Sequence, residues 1–455
     1  MTRQLPAAAL LAAALGAAGS LAQTDGTLDT AFDFDGSARV PFDLPDSSLK
    51  DLPVAVVVQP DGRVVVVGTV DDGTLHRDVA VARLTSAGAL DPGFGTGGKY
   101  VAQYSYDEVA SAVALLADGS ILVAGSWGIV PPGSPTVFLR VLSAAGAEVT
   151  GAGIPVNGTL LEPRVGLAYD RTAGKIYVAF SRQVSTTPTI AILRLNEDLS
   201  TDFGYGASGL LEVEHFLGAP LYVRALALDG QGRLVVGATE GGSGGLDFCV
   251  MRATSGGALD ATFGSGGHGY QTVPIELVAG GDDDLQALAV DASGRILLAG
   301  AAQNTLYSDR AAVLARLTAS GASDPAFNGG APLIVADTLG DDSLGGLVVQ
   351  SDGRIVVAGR VFGPSPRFFA ARYDAYGSAD WSFGSFGQFS ANLPGSPADD
   401  YAVALALSGG RAVLVGPAEW SAPDYDFGVM RLHSSLLFAD DLERGSTGGG
   451  SLAAP

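Results

Sequence analysis

The sequence predicts an all-β protein, a seven-bladed β-propeller with four antiparallel strands per blade and an N-terminal segment that completes the last blade. Three observations lead there. A tight turn between two apolar strands recurs seven times at intervals close to 58 residues. Each turn is followed by two further strand-like segments, which makes four strands per unit. The seventh unit lacks its closing segment, and that segment stands displaced at the N-terminus.

The turns lie in "VVVQPDGRVVVVG" (56–68), "ALLADGSILVAG" (114–125), "LAYDRTAGKIYVA" (167–179), "LALDGQGRLVVGA" (226–238), "LAVDASGRILLAG" (288–300), "LVVQSDGRIVVAG" (347–359) and "LALSGGRAVLVG" (405–416). Asp-Gly or Ser-Gly between short Val/Ile/Leu runs marks a hairpin, because Gly tolerates the positive φ of such turns. The apolar runs are nearly continuous, as they must be where both faces of a sheet are covered. Repeated four-stranded units of this kind are the mark of propeller blades, and a parallel β-helix would show shorter rungs without these hairpins.

A third apolar segment in each unit ends near an Arg, as in "VAVARL", "VFLRVL" and "IAILRL". Four units then carry a clear Asp-x-x-Phe tail, Gly-rich residues and a short strand, as in "LDPGFGTGGKYV" and "LDATFGSGGHGY". The tail is shortened in the third unit and degenerate in the second, "AEVTGAGIPV". The seventh unit stops at Arg431-Leu432 without a tail, whereas "GTLDTAFDFDG" at 26–36 has no unit before it. Residues 26–42 are therefore expected to supply the outer strand of the last blade, which leaves no open sheet edge.

At these residues the pattern resembles the delta-60 repeat family, secreted bacterial proteins with tandem "QPDGRVVVVG…ARL…LDPGFG" units. The resemblance covers roughly residues 25–433 and implies the propeller, but no particular substrate. The closing "LLFADDLERGS" is similar to the Phe-x-Asp-x-Phe-Glu-x-Gly tails of some secreted proteobacterial proteins, with Leu442 where a Phe is usual. That likeness implies a sorting or surface-retention role for residues 434–455.

The first 22 residues read as a secretory signal: Arg3 at the start, an apolar stretch from Pro6 to Ala18, and Ser20-Leu21-Ala22 before the cleavage point. The expected location is outside the cytoplasm, whether extracellular, periplasmic or on the cell surface. No later run approaches the roughly 18–20 apolar residues of a spanning helix. Cys249 is the single cysteine, so stability must come from a large core and not from intramolecular disulfides. With 26 basic and 48 acidic residues the net charge is −22, which argues against nucleic acid and anionic membranes as partners.

The recurrent arginines read as architecture. An Arg among Val, Ala and Leu must find a partner, because an unpaired buried charge costs several kcal/mol. Arg83, Arg252, Arg316 and Arg372 are each followed eight residues later by an acid: Asp91, Asp260, Asp324 and Asp380. Arg194 and Asp202 keep that offset, as do Arg140 and Glu148. The expected pairing is within each blade, and Arg431 is expected to pair with Asp29 across the seam.

Acids also collect before the first strand of six units: Asp51, Asp107-Glu108, Glu162, Asp282-Asp283-Asp284, Asp341-Asp342 and Asp399-Asp400. First strands line a propeller's channel, so these carboxylates could ring one mouth and hold Ca²⁺, with Asp282, Asp283, Asp284, Asp341, Asp342, Asp399 and Asp400 as candidate ligands. Turn capping and solvation are the alternative for the same acids. Unit four departs from the pattern with Arg224, and unit five places Gln286 there, which makes these two the candidate ligand-contacting residues. No other cofactor is expected. Gly241–Gly245 matches a nucleophile-elbow pattern, and Gly204-Gly206-Gly209 and Gly264-Gly266-Gly269 match dinucleotide spacing, but none precedes a helix. His76, His215, His268 and His433 fall in different units without metal-ligand spacing. The function expected is a non-enzymatic, monomeric platform for an unidentified protein or glycan. The alternative is a divalent-cation-dependent hydrolase or lyase working at the channel.

Overall fold

The structure is a computed structural model that describes residues 24–435 apart from 45–49, 72–75, 103, 105–106, 128–134, 215–217, 243, 305–308, 339, 364, 397–398 and 422–423. The signal segment 1–22, His215, Ser243 and residues 436–455 of the tail lie outside the described residues. The chain forms seven four-stranded antiparallel sheets. Their first strands touch one another in cyclic order, so the sheets are blades around a common axis. The first blade runs outward from the channel as Asp51–Val58, Val64–Asp71, Arg77–Leu84 and Lys99–Val101.

The seventh blade takes Ala404–Ser408, Arg411–Ser421 and Asp424–His433 from one end of the chain and Ser37–Val40 from the other. Ser37 lies opposite Met430 and Val40 opposite Phe427. The segment before that outer strand is also pinned: Asp29 N–H donates to Arg431 O at 2.8 Å, and His433 N–H donates to Thr27 O at 2.9 Å. The displaced tail thus supplies the seam that the seventh unit lacks.

One motif recurs where each third strand turns toward its outer strand. Arg252 Nε donates to Asp260 Oδ2 at 2.9 Å, its guanidinium lies 4.7 Å from the Phe263 ring centroid, and its Nη1 reaches the Ala319 carbonyl of the next blade. Phe263 in turn packs under Gly321 of that blade, whose φ of 91° and proximity to the ring leave no room for a Cβ. The same set is found at Arg83 with Asp91 and Phe94, Arg316 with Asp324 and Phe327, and Arg372 with Asp380 and Phe383. Arg194 with Asp202 puts Tyr205 in the ring position. At the seam Arg431 Nε lies 2.9 Å from Asp29 Oδ2, with Phe32 beneath and the Ser86 carbonyl of the first blade at 2.6 Å. Each wholly buried Phe contributes on the order of 2 kcal/mol in apolar burial, and the guanidinium fork adds direction.

The second blade breaks the motif. Leu122 lies opposite Val141, whereas its counterpart Val65 in the first blade lies opposite Arg83. Arg140 is therefore one residue out of register and on the other face of its sheet. It pairs with buried Glu108, and its guanidinium lies 4.2 Å from the Tyr104 ring. Glu148, the partner expected from the spacing, instead accepts hydrogen bonds from Tyr100 and Tyr104.

The first strands carry a second recurring irregularity, a bulge at Val54, Ser111, Arg224, Gln286 and Gly345. The bulge pushes a first-strand carbonyl over the second strand, where Gly68, Gly125, Gly300 and Gly359 stand. A Cβ at Gly359 would collide with the Ser343 carbonyl, which explains the Gly closing the "VVAG" runs.

Two outcomes follow from the arginine motif. Asp29 accepts from both Arg411 and Arg431 and is fully buried, so Asp29→Ala leaves a buried guanidinium unpaired. Urea unfolding should show a loss of about 3 kcal/mol or more for Asp29→Ala, against a change within about 0.5 kcal/mol for exposed Glu148→Ala. The second outcome concerns acid. Burial tends to raise the Asp380 carboxyl, but hydrogen bonds from Ser382 and Arg354 and the charge of Arg372 hold it down at about 2. Asp29, Asp91, Asp202 and Asp260 are also held below the ordinary value of 3.8. A carboxyl lowered by folding contributes stability that is present above about pH 4 and lost as pH falls toward 2. Stability measured across that window should fall steeply, and less steeply in Asp380→Asn.

Candidate functional site

The loops between outer and first strands and those between second and third strands share one face of the ring. The hairpins and the arginine motif occupy the other. On the first of these faces a cleft of about 460 Å³ opens between the fifth and sixth blades, lined by Asp282, Gln286, Gln303, Arg310, Asp341, Asp342, Ser343, Arg360 and Ala301.

Local structure explains each of its main side chains. Gln286 is the bulge residue of its first strand and, like Asp284 two positions earlier, is only partly buried, between buried Leu285 and Ala287. Arg310 opens the third strand of the fifth blade, Arg310–Leu317. Arg360 follows Gly359 in the second strand of the sixth blade. That place is held by Thr69, Ser126 and Thr239 in other blades, where Thr69 and Thr239 accept a backbone N–H from the next blade. The fifth and seventh blades carry Ala301 and Pro417 there, and Arg360 puts a guanidinium in this column of small residues. Its guanidinium lies 5.3 Å from the Tyr401 ring of the seventh blade, and its Nε is buried without a hydrogen-bond acceptor. Sequence reasoning found Gln286 and the acids but not Arg310, Arg360 or Gln303. The signal for Arg360 was present, since it is the one large cation in a column of small residues.

Arg224, the bulge residue of the fourth blade, is not in this cleft. Its Nη1 donates to Glu162 Oε2 at 2.5 Å and its Nε to Asp284 Oδ1 at 3.0 Å, so it ties the third, fourth and fifth blades together. Thr239 adds a hydrogen bond to the same Asp284 oxygen at 2.9 Å. Arg164 stands beside it, its basicity reduced by burial and by the charge of Arg224. Two guanidiniums and two carboxylates make this cluster electrically balanced, which suits a structural knot.

The acids expected to ring the mouth are mostly engaged one by one. Asp283 Oδ2 accepts from Ile275 N–H at 2.8 Å, and burial pushes its carboxyl up to about 6. Asp342 accepts from Thr338 N–H at 2.7 Å, Thr338 Oγ1 at 2.8 Å and Phe362 N–H at 2.6 Å. Asp400 accepts from Leu393 N–H at 2.7 Å, Ser396 Oγ at 2.7 Å and Glu419 N–H at 3.1 Å. Asp51 does the same for Phe42 N–H at 2.5 Å. Each fastens the loop that precedes its own blade. Asp282 accepts from Leu246 N–H, Asp284 belongs to the Arg224 cluster, and Asp341 faces the cleft. Asp399 lies beside Asp400, its own N–H donated to Glu419. Among the described residues these seven acids do not assemble a three-carboxylate cation site. The one such group is Asp43, Asp424 and Asp426 at the seam.

The remaining motifs stand in turns or in the core among the described residues. The glycines of both dinucleotide-like spacings sit in the turns after third strands, and the one helix among the described residues is the three-residue turn Asn328–Gly330. Cys249 is buried, and burial raises its thiol pKa well above the usual range. His433 lies at the seam, 3.5 Å from Asp29 Oδ1. No helix among the described residues is long and apolar enough to cross a membrane.

Four stretches, residues 59–94, 232–263, 292–327 and 350–383, match the family described as "Domain of unknown function (DUF5122) beta-propeller". Each match ends on the aromatic ring of an arginine motif: Phe94, Phe263, Phe327 and Phe383. No curated protein matches the chain. Among solved structures, polysaccharide lyase Uly1 is 11% identical with a TM-score of 0.53, over 84% of this chain and 89% of that one. The GH93 α-L-arabinofuranosidase of Fusarium graminearum is 10% identical with a TM-score of 0.45, over 88% and 97%. A protein of unknown function from Dyadobacter fermentans is 12% identical with a TM-score of 0.44, over 88% and 99%. At these identities the likeness is one of fold.

The engaged acids have a measurable consequence. Asp342→Ala strands two N–H groups and a hydroxyl, which should cost about 1–3 kcal/mol. The loss should be equal in excess chelator and in excess Ca²⁺, as checked by parallel melts.

Proposed function

We propose that this chain is an exported, non-enzymatic binding module, built of delta-60-type repeats, that takes a polar ligand of the glycan class in the cleft between its fifth and sixth blades. The observation that carries this reading is the pairing of planar donors around that cleft. Gln286, Gln303, Arg310 and Arg360 offer amide and guanidinium groups that match vicinal hydroxyls or a carboxylate, and the buried Arg360 Nε lacks an acceptor that such a ligand would supply. Tyr401 beside Arg360 holds the guanidinium plane in place.

The cleft is poorly equipped for turnover. Among the described residues its lining contains no His, Cys, Lys or Tyr. Asp342 is committed to three loop donors, Asp282 accepts from Leu246 N–H, and Asp341 stands without a second acid placed to share an acid–base cycle. A general acid or base must be free to exchange a proton at the reacting atom. The −22 charge suits a protein that stays soluble outside the cell and avoids polyanions.

A glycan array followed by calorimetry tests the reading. Arg360→Ala should weaken binding by about tenfold or more, the scale of one charge-assisted hydrogen bond, with an unchanged melting temperature. Gln286→Ala should act in the same direction. Binding that is indifferent to both substitutions would place the ligand elsewhere. New reducing ends or unsaturated products on incubation with the bound glycan would replace this reading with the hydrolase or lyase.

A further inference from the structure

We propose that the seam of the ring carries a divalent-cation site, of the Ca²⁺ class, formed by Asp43, Asp424 and Asp426. The site is independent of the glycan cleft and uses none of the acids that sequence spacing singles out.

Asp43 follows the outer strand that the N-terminal segment gives to the seventh blade. Asp424 and Asp426 open the third strand of that blade, Asp424–His433. One carboxylate oxygen from each lies within 4.8 Å of the others. Oxygen ligands at the 2.3–2.6 Å typical of Ca²⁺ stand roughly 3 to 5 Å from one another, so the spacing fits one ion. Asp43 is exposed, Asp424 is partly buried and Asp426 is wholly buried. The group is thus open on one side, where water can complete the coordination.

The second observation is independent of that spacing. Asp424 Oδ1 and Asp426 Oδ1 are both buried and accept no hydrogen bond. On the same face Asp283, Asp342 and Asp400 each collect backbone N–H donors, and Glu108 and Glu162, which also keep one buried oxygen without a donor, each have an arginine of their own. A buried carboxylate oxygen without a donor is costly and calls for a cation. Among the described residues the cation that ion pairs join to the group is Arg39, which pairs with Asp426 and stands 3.8 Å from Asp424 Oδ2. One guanidinium against three carboxylates leaves two negative charges, and buried Asp51 stands close behind. Lys99 is held by the Pro41 carbonyl and the Phe42 ring, and no ion pair joins it to the three carboxylates.

All-oxygen ligands, an irregular open arrangement and no His or Cys favour a hard ion over zinc. The ligands come from both ends of the chain, so the ion would staple the joint that closes the ring. Trp420 supplies a reporter, because its ring lies 4.2 Å from the Arg39 guanidinium that touches Asp426.

The test uses the purified protein with Ca²⁺ and Tb³⁺ as probes. Chelator should lower the melting temperature, and added Ca²⁺ should restore it and raise it further with concentration. Tb³⁺ should luminesce on tryptophan excitation and be displaced by Ca²⁺. Trp420→Phe should remove the luminescence but keep the Ca²⁺-dependent stabilisation. Asp424→Asn and Asp43→Asn should weaken both responses at least tenfold. Asp43 is exposed, so its variant folds and decides the matter even if Asp424→Asn does not. A folded wild-type protein with the same melting temperature in chelator and in Ca²⁺, and no Tb³⁺ signal, overturns the proposal. So does a full response that survives in Asp43→Asn.

Discussion

A guanidinium that holds its own blade with one nitrogen and the next blade with another is the interaction on which this ring depends. Nε takes the Asp eight residues on, or Asp29 at the seam, and Nη1 reaches across to a turn carbonyl: Ala144 from Arg83, Ser255 from Arg194, Ala319 from Arg252, Ala375 from Arg316 and Ser86 from Arg431. Arg372 makes the same crossing by touching both Ser435 O and Asp25. Six of the seven joints are made this way. At the seventh, between the second and third blades, Ser126 Oγ and Arg171 donate to carbonyls across the joint, and Ala117 N–H donates to Tyr169. A buried ion pair often contributes little net stability in isolation. Here its value is directional, because the fork fixes how far each blade rotates relative to its neighbour.

Concentrating that task on the hairpin face frees the other one. The acids there are mostly loop fasteners, and where a fastener or a small hydroxyl is replaced the surface becomes chemically particular. Arg360 in place of a Thr or Ser brings a guanidinium to the cleft, and Asp43, Asp424 and Asp426 form a carboxylate group at the seam. Repetition on one face and departure from repetition on the other are two uses of the same scaffold.

The architecture was legible because its determinants are local and repeated. The hairpin glycines, the Arg-to-Asp spacing and the stray "GTLDTAFDFDG" each name a place in a blade. What escaped were features that depend on strand parity or on distant residues. "VFLRVL" resembles "VAVARL", yet its Arg stands one position earlier, and in a strand one position changes the face. The acids before each first strand could cap turns or meet at the mouth, and their spacing serves both. Only the loop donors, such as Ile275 and Phe362 N–H, show where Asp283 and Asp342 point. Asp43 and Asp424 belong to opposite ends of the chain, and no column of the repeat relates them.

The closing contact has a further consequence for how the molecule is held. Ser435 donates to Asp25 through its N–H at 3.0 Å and its hydroxyl at 2.6 Å, so the two described ends leave the ring side by side. The last strand runs from Asp424 on the cleft face to His433 on the hairpin face, with Arg411 opposite His433. Both ends therefore depart from the side facing away from the cleft. A tether at either one works as a stem beneath a dish: it shortens the molecule's reach without shading the dish. A fusion partner, a lipid or a wall polymer joined there leaves the opposite surface turned outward.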